Sequence, residues 1–459
     1  MTSPGTPVVV VGGGIAGLAA AYVLHERGLP FLLLEGSGRL GGVIRTEKTR
    51  GFLIEGGPDS LLVQKPEGLA LLRALGLDDR LQPTNPRERR VYVLHRGRLH
   101  PLPEGMMLTV PTRLLPVLGS GLFSWPGKLR MGLDLVLPAR HDAGDESIAS
   151  FVRRRFGRET LERLAEPLLA GIHAGDPERL SLRATFPRLA ALEQRHGSVV
   201  RGLRASPPPP SSLPSAFVTL RGGLGELVEA LSTRLPQGAL RTSSPVQSIE
   251  RADAGFRLRI GPGGKPSIAA RAVLLAIPPR AATPLVRPLA PEAGSELASI
   301  RFASTVVLVL GLRREDVAHP LDGYGLIVPR GEGLRTTAVS FHSTKFEGRT
   351  PEGQVMLRVF LGGIFDGGVL QLADAELVAL ALREVGPVLG LRGEPTLTRV
   401  FRWPEATPQM EIGHLDKVAR VEKALGRVPG LFMCGSGFRS TGLPDTIGDA
   451  QRAALAAAF

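Results

Sequence analysis

A chain of 459 residues, 43% hydrophobic and 22% charged, is long enough to bury two or three cores, and its composition excludes a disordered, collagenous or disulfide-built protein. Its single cysteine, Cys434, can neither close an intramolecular disulfide nor build a Cys-rich metal site, so a cytoplasmic, reducing location and metal-free chemistry are expected. Lys and Arg number 56 against 43 Asp and Glu, a formal charge of +13 that suits an anionic partner, while aromatics at 5% offer little stacking platform for nucleic acid, which is not expected to bind.

Residues 1–7 have no basic n-region, so no signal peptide is expected. Residues 8–11 are an unbroken apolar run, 15–27 have helical periodicity, and 31–34 are apolar again before Glu35, which reads as strand, helix, strand. Unalternating runs of this kind suit parallel strands covered on both faces, and they recur at 272–277 and 431–434. From about residue 68 to 204 helical periodicity dominates, ending in a Pro-rich linker at 206–212. Within it, 114–127 lacks charge but is shorter than a membrane span and contains Pro116 and Pro126. Apolar runs at 305–312, 324–328, 336–341 and 355–361, separated by Gly, Pro and charged clusters, predict an antiparallel sheet, followed by a helix over 373–389.

Gly12, Gly14 and Gly17 form G-x-G-x-x-G between the first strand and helix. The first glycine permits the turn, the second lets backbone amides approach a pyrophosphate, and the third lets helix pack on strand. Glu35, ending the next strand, is placed to accept a ribose hydroxyl, which indicates an adenine dinucleotide. The further glycine-rich turns Arg39-Leu40-Gly41-Gly42 and Glu55-Gly56-Gly57-Pro58-Asp59-Ser60 favour FAD over NAD, because a long extended cofactor needs more close backbone approaches. Gly435 ends a late strand, and Gly442-Leu443-Pro444 opens a final Ala-rich helix whose N-terminus can face the flavin pyrimidine ring. Neither Cys nor His follows these turns where a covalent link could form, so the FAD is expected to be noncovalent.

The run Val10-Val11-Gly12-Gly13-Gly14-Ile15-Ala16-Gly17-Leu18, the Arg39 to Gly42 turn and the Gly442 to Ile447 segment resemble the amine oxidase and phytoene desaturase flavoprotein superfamily. Ala170-Gly171-Ile172-His173-Ala174-Gly175-Asp176-Pro177, Thr219-Leu220-Arg221-Gly222-Gly223-Leu224, and Trp403-Pro404 with Pro408-Gln409 and Gly413-His414 are more specifically similar to oxygen-dependent protoporphyrinogen oxidases and their coproporphyrinogen III-oxidising relatives. Gly105-Met106-Met107-Leu108-Thr109-Val110-Pro111 is similar to the coproporphyrinogen-oxidising branch.

The resemblance spans essentially the whole chain. It implies removal of six electrons from a porphyrinogen in three flavin cycles, with molecular oxygen as acceptor, in haem biosynthesis. The implied fold is α/β: a discontinuous Rossmann-type FAD-binding domain (1–67, 213–300, 403–459), a mainly helical insertion (68–212) and a substrate-binding domain with an antiparallel sheet (301–402).

The cofactor set is then Gly12, Gly13, Gly14, Ile15, Ala16, Gly17, Glu35, Gly36, Arg39, Gly42, Val43, Gly57, Pro58, Asp59, Ser60, Val246, Trp403, Gly435, Thr441, Gly442 and Leu443. By resemblance, Val246 meets adenine through its backbone, and Thr441, Gly442 and Leu443 contact the flavin. Gly171 matches the glycine whose carbonyl faces the pyrrole nitrogens. Tyr324 and Ile327 fall where the family has Phe and Leu against the tetrapyrrole. One of Arg89 and Arg90 corresponds to the arginine that pairs with a substrate propionate; the local length differs by a residue, so both stay open. His173 and His414 have no neighbours at metal-ligand spacing and are assigned structural roles.

Residues 114–137 mix Leu, Phe123 and Trp125 with Lys128 and Arg130, a composition that suits either plain core or peripheral contact with the inner face of the cell membrane. Oligomeric state stays open, a homodimer included. Two rival readings remain: an amine oxidase or carotenoid desaturase, which needs an aromatic cage or a lipid tunnel hard to build from three Tyr and two Trp, and a non-catalytic porphyrin-binding flavoprotein.

Overall fold

The computed structural model describes residues 5–459 apart from 108, 114, 141, 143, 206–214, 262, 264–265 and 440. The Pro-rich linker at 206–212, Leu108 of the branch-specific motif and the first residue of the 114–137 stretch therefore lie outside the described residues.

Five parallel strands run in the order Leu240–Arg241, Phe31–Leu34, Val8–Val11, Ala272–Leu275, Leu431–Met433. Their unbroken apolar character has a direct cause. Val8 and Val10 point into one core with the helices Ile15–Glu26 and Leu443–Ala458. Val9 and Val11 point into a second, with the helices Pro291–Ala298 and His414–Leu425 and the strands Val246–Ala252, Gly255–Ile260 and Ser267–Ala270. Both faces are buried, so both alternating sets must be apolar, each fully buried valine contributing about 1.5–3 kcal/mol.

The seven-stranded sheet has the order Leu397–Pro408, Phe302–Arg313, Gln354–Gly362, Thr336–Phe341, Gly325–Ile327, Val91–His95, Arg98–Pro101. All neighbours are antiparallel except Gly325–Ile327 with Val91–His95. Four of these strands cover the apolar runs expected to form the sheet. Two come from inside the expected helical insertion, and the strand Leu397–Pro408 crosses the boundary expected at residue 403. One face of the sheet packs under the helix Asp374–Leu389. The opposite face divides its cover: Val307, Val309, Met356 and Phe401 meet Phe52 and Ile54 of the hairpin Thr46–Thr49/Phe52–Glu55, while Val93, Ile327 and Ala338 meet the helical insertion. The hairpin that precedes the Gly56-Gly57 turn and the helical insertion are thus packed on one sheet face.

The insertion is pinned internally by a fully buried pair. Arg155 Nε donates to Asp134 Oδ1 at 2.6 Å, and Asp134 Oδ2 accepts from Ser198 Oγ at 2.6 Å and Val200 N at 2.9 Å. Farther out, Leu115, Trp125, Leu129 and Val136 are 81%, 66%, 70% and 73% exposed, and Lys128 lies over the Trp125 ring. These four residues are therefore not core. Among the described residues no helix is long and apolar enough to cross a membrane.

Candidate cofactor and substrate site

At the carboxyl end of the parallel sheet, Gly12 turns with φ +107, and a side chain there would strike the Ala276 carbonyl oxygen at 2.6 Å. Gly17 has no room either: an added Cβ would sit 1.8 Å from the Gly12 carbonyl oxygen. Gly14 differs. Its added Cβ would find only the Gly42 Cα, at 3.9 Å, so its missing side chain leaves a gap rather than relieving a clash. The turn carrying Gly41 and Gly42 is hung on the first motif by the Gly41 amide donating to the Gly13 carbonyl at 2.8 Å. Arg39 holds the same turn from within, its guanidinium donating to the carbonyls of Leu40, Gly42 and Ile44. Gly57 continues the wall, since a Cβ there would meet the Val43 carbonyl oxygen at 1.9 Å, and the Val43 side chain is 40% exposed beside it.

Helix Ile15–Glu26 starts at Gly14 with no side-chain cap and no acid in its first turn. Ile15 and Ala16 bury their side chains and can offer this cleft only backbone N–H groups. Helix Leu443–Ala458 likewise starts at Gly442 without a side-chain cap, with half-buried Thr441 before it. Gly435, at φ +111, lies with its Cβ position 3.4 Å from Ala16 Cβ, which brings the last strand onto the first helix. Glu35 Oε2 accepts from the Gly13 amide at 2.6 Å and Oε1 from the Ser37 amide at 2.7 Å, so the carboxylate is fixed while each oxygen retains a lone pair for a hydroxyl. The 243–245 loop bonds back to the Glu35 and Ser37 carbonyls, setting Val246 and Pro245 beside Glu35 and Gly36. Trp403 Nε1 donates to the Gly56 carbonyl at 2.7 Å, tying the long edge strand to the same wall. A cradle of missing side chains, two helix starts without a side-chain cap, the second with Asp445 in its first turn, and a fixed acid fit an extended dinucleotide cofactor such as FAD.

The substrate-side residues divide. Gly171 lies exposed near the end of helix Glu166–His173, its Cβ position 3.6 Å from Ala338 Cβ; Ala338 pairs with Ile327, which is buried against the insertion. Gly171 and Ile327 are therefore brought together across Ala338. Tyr324 turns elsewhere, its phenol donating to the Asn85 carbonyl at 2.8 Å with Thr84 Oγ1 at 2.9 Å from the same oxygen, and its amide donating to the Arg90 carbonyl. Arg90 is ion-paired with Asp322, and Arg89 Nε donates to the Pro86 carbonyl at 3.0 Å; both side chains belong to exposed residues of one loop. Burial, with Lys65 nearby, pushes the His173 imidazole down to about 4. His414 is buried with Nε2 2.8 Å from the Phe438 carbonyl oxygen, a structural tie. Among the described residues no group of three His, Cys, Asp or Glu is arranged to hold a metal ion.

Sequence reasoning overlooked the basic residues around Asp59. Lys345 Nζ lies 3.0 and 2.9 Å from its two carboxylate oxygens, and Arg358 Nη1 lies 2.8 Å from Oδ2. Burial alone would raise this carboxyl; the two cations override it and hold it well below the usual carboxylate range. The available signal was Arg358 itself, a charge in the middle of an otherwise apolar strand.

Residues 15–458 match the flavin containing amine oxidoreductase family, and the chain belongs to it. The coproporphyrinogen III oxidase of Bacillus subtilis is 35% identical over 98% of this chain and 97% of that protein, and the chloroplastic protoporphyrinogen oxidase of Oryza sativa is 33% identical over 93% and 83%. A solved structure from Exiguobacterium sp. 255-15 superposes with a TM-score of 0.88 at 31% identity, covering 99% of this chain and 98% of that one. The chain is an FAD-dependent oxidoreductase of the protoporphyrinogen/coproporphyrinogen oxidase type.

Proposed function

We propose that the chain binds FAD noncovalently and oxidises a porphyrinogen to its porphyrin in haem biosynthesis, with molecular oxygen as terminal acceptor and coproporphyrinogen III ahead of protoporphyrinogen IX as substrate. The observation that carries the reading is the continuous wall Gly14, Gly42, Gly57, set between two uncapped helix starts. The order of substrates follows the relatives named coproporphyrinogen III oxidase, at 35% and 36% identity over nearly the whole chain.

When bound, the flavin supplies acceptance of a hydride equivalent and return of electrons to oxygen. The chain's own residues do the rest. Amides at Ile15 and Ala16 meet the pyrophosphate, and Glu35 orients the ribose. Gly171 lets a flat macrocycle approach the backbone, where its carbonyl accepts a hydrogen bond from a pyrrole N–H whose proton leaves to water, and Ile327 and Ala338 form the apolar wall alongside. Anaerobic addition of coproporphyrinogen III should bleach the yellow colour of the purified protein, and acid precipitation should free the flavin. A colourless wild-type protein, an unbleached flavin or colour retained in the denatured pellet would each contradict the corresponding part.

One of Arg89 and Arg90 pairs with a substrate propionate. An anionic carboxylate entering an apolar cleft needs a cation, and such a charge-assisted bond is worth about 1.5–3 kcal/mol. The Arg89→Ala, Arg90→Ala double variant should raise KM roughly ten- to a hundredfold with a smaller change in kcat. Steady-state constants with the tetra- and dipropionate substrates decide it; unchanged values for both would return these residues to a solvated loop.

Peripheral contact with an anionic bilayer is supported by the exposed Leu115, Trp125, Leu129 and Val136 beside Lys128, whereas Arg130 turns inward to cap the carbonyls of Arg153, Arg154 and Arg155. Trp125→Ser with Leu129→Ser should reduce co-sedimentation with anionic vesicles at least fivefold, by loss of about 1 kcal/mol or more of apolar burial. Equal sedimentation of variant and wild type would place the contact elsewhere.

A further inference from the structure

Arg358 stands on the strand face it shares with Met356 and Phe360, toward the cofactor-side hairpin, and is 2% exposed. Besides its bond to Asp59, its Nη2 donates to the Gly57 carbonyl at 2.5 Å, so one guanidinium grips both ends of the Gly57-Pro58-Asp59 turn. Lys345 closes on the same carboxylate. Arg349, 1% exposed, donates to the Leu220 carbonyl at 2.9 Å and lies over the Phe346 ring. The nearby acids are half-buried Asp59 and buried Glu55, the latter pushed up to about 7 by burial. Three cations thus face these two acids, one only partly ionised at neutral pH; Glu226, which also acts on Arg349, is already paired with Arg80. A second observation agrees: Nε of Arg358, Nε and Nη1 of Arg349 and both ring nitrogens of His342 are buried without a hydrogen-bond partner. His342 itself is held neutral by burial, with Arg358 adding to the effect. The cluster has more positive charge and more donors than its own acids and carbonyls consume.

We infer that Arg358 and Lys345 set the electron affinity of the bound flavin, Arg358 by positioning the Gly57–Ser60 turn and both by placing uncompensated positive charge behind it. The inference rests on the reading of that turn as a flavin contact. With FAD bound, a hydride equivalent leaving a porphyrinogen C–H would carry two electrons and one proton to the flavin and so add one negative charge to its ring, while the substrate's accompanying N–H proton would pass to water. A buried positive charge favours that product. Across about 10 Å at an effective dielectric of about 20, one unit charge changes such an equilibrium by at least tenfold. Arg358 and Lys345 are positioning residues, since they act through the turn and through their field.

The experiment measures flavin content and midpoint potential of the holoprotein for wild type, Arg358→Met, Arg358→Lys, Lys345→Met and Asp59→Asn, with Arg420→Met as a control in an exposed ion pair with Glu296. Arg358→Met and Lys345→Met should move the two-electron potential negative by a tenfold change in the equilibrium, about 30 mV. Arg358→Lys should restore most of the shift, Asp59→Asn should move the potential positive, and Arg420→Met should leave it in place. A structural role alone does not reverse sign with the charge removed. If Arg358→Met fails to fold, the opposite signs of Lys345→Met and Asp59→Asn still decide the matter. A wild-type chain that takes up no FAD overturns the reading of the turn and this inference with it. Normal flavin content with potentials that stay flat, or move in one direction for both charges, overturns this inference alone.

Discussion

Gly14→Val is expected to yield a folded protein that has lost its flavin. Gly14 has φ −69 and ψ −179, extended backbone that a β-branched residue tolerates, and its Cβ position has only the Gly42 Cα within 4 Å. The valine side chain therefore extends into the space between the two glycine turns. That space is where a pyrophosphate would lie against the helix amides, so affinity for FAD should fall at least a hundredfold, about 2.7 kcal/mol. Gly17→Ala makes the contrast: its Cβ would be driven to 1.8 Å from the Gly12 carbonyl oxygen, and the damage should appear as a lowered melting temperature before any question of flavin arises. The absorbance ratio of flavin to protein, calorimetric titration with FAD and a thermal melt separate the two. A yellow, stoichiometrically flavinated Gly14→Val protein would show that the pyrophosphate lies elsewhere.

Gly171→Leu should give the converse, full flavin and little turnover. Gly171 is exposed, its Cβ position touches only Ala338 at 3.6 Å, and within a helix leucine is favoured over glycine by nearly 1 kcal/mol, so the fold has no reason to object. The leucine body instead projects over the Ala338 and Ile327 wall proposed for the macrocycle. kcat/KM for coproporphyrinogen III should drop at least a hundredfold, about 2.7 kcal/mol of transition-state stabilisation, with Gly171→Ala intermediate. Flavin content and melting temperature should match wild type. Undiminished turnover by a fully flavinated Gly171→Leu protein would move the substrate off this wall.

Much of the first strand, helix, strand unit is local in sequence and was legible there. The glycine spacing, the apolar runs at 8–11 and 31–34 and Glu35 after the second strand are consequences of one strand, helix, strand unit, whose geometry is set by residues within about thirty positions of one another. The apolar runs of the large sheet were legible as strands for the same reason: a pleated, half-buried surface imposes its pattern on each segment separately. Partnership is different. Nothing in the run at 91–95 announces that it pairs in parallel with Gly325–Ile327, because strand pairing joins backbone groups that every sequence carries. The exposure of Trp125 and Leu129 is likewise undecided by periodicity, which marks an apolar face but not whether another element covers it.

The charge cluster at Asp59 shows the division most clearly. Locally, Asp59 is an acid in a glycine-rich turn and Lys345, Arg349 and Arg358 are basic residues some three hundred positions away, each individually most stable in water. The sequence by itself determined that these ionisable residues exist and that Arg358 interrupts an apolar strand. Only the tertiary structure decided that they are drawn together, Arg349 and Arg358 buried and Asp59 and Lys345 half-buried, because removing a charge from water becomes tolerable when opposite charges and carbonyls arrive from other segments at hydrogen-bond distance, and that arrival depends on the packing of the whole sheet against the hairpin Thr46–Thr49/Phe52–Glu55.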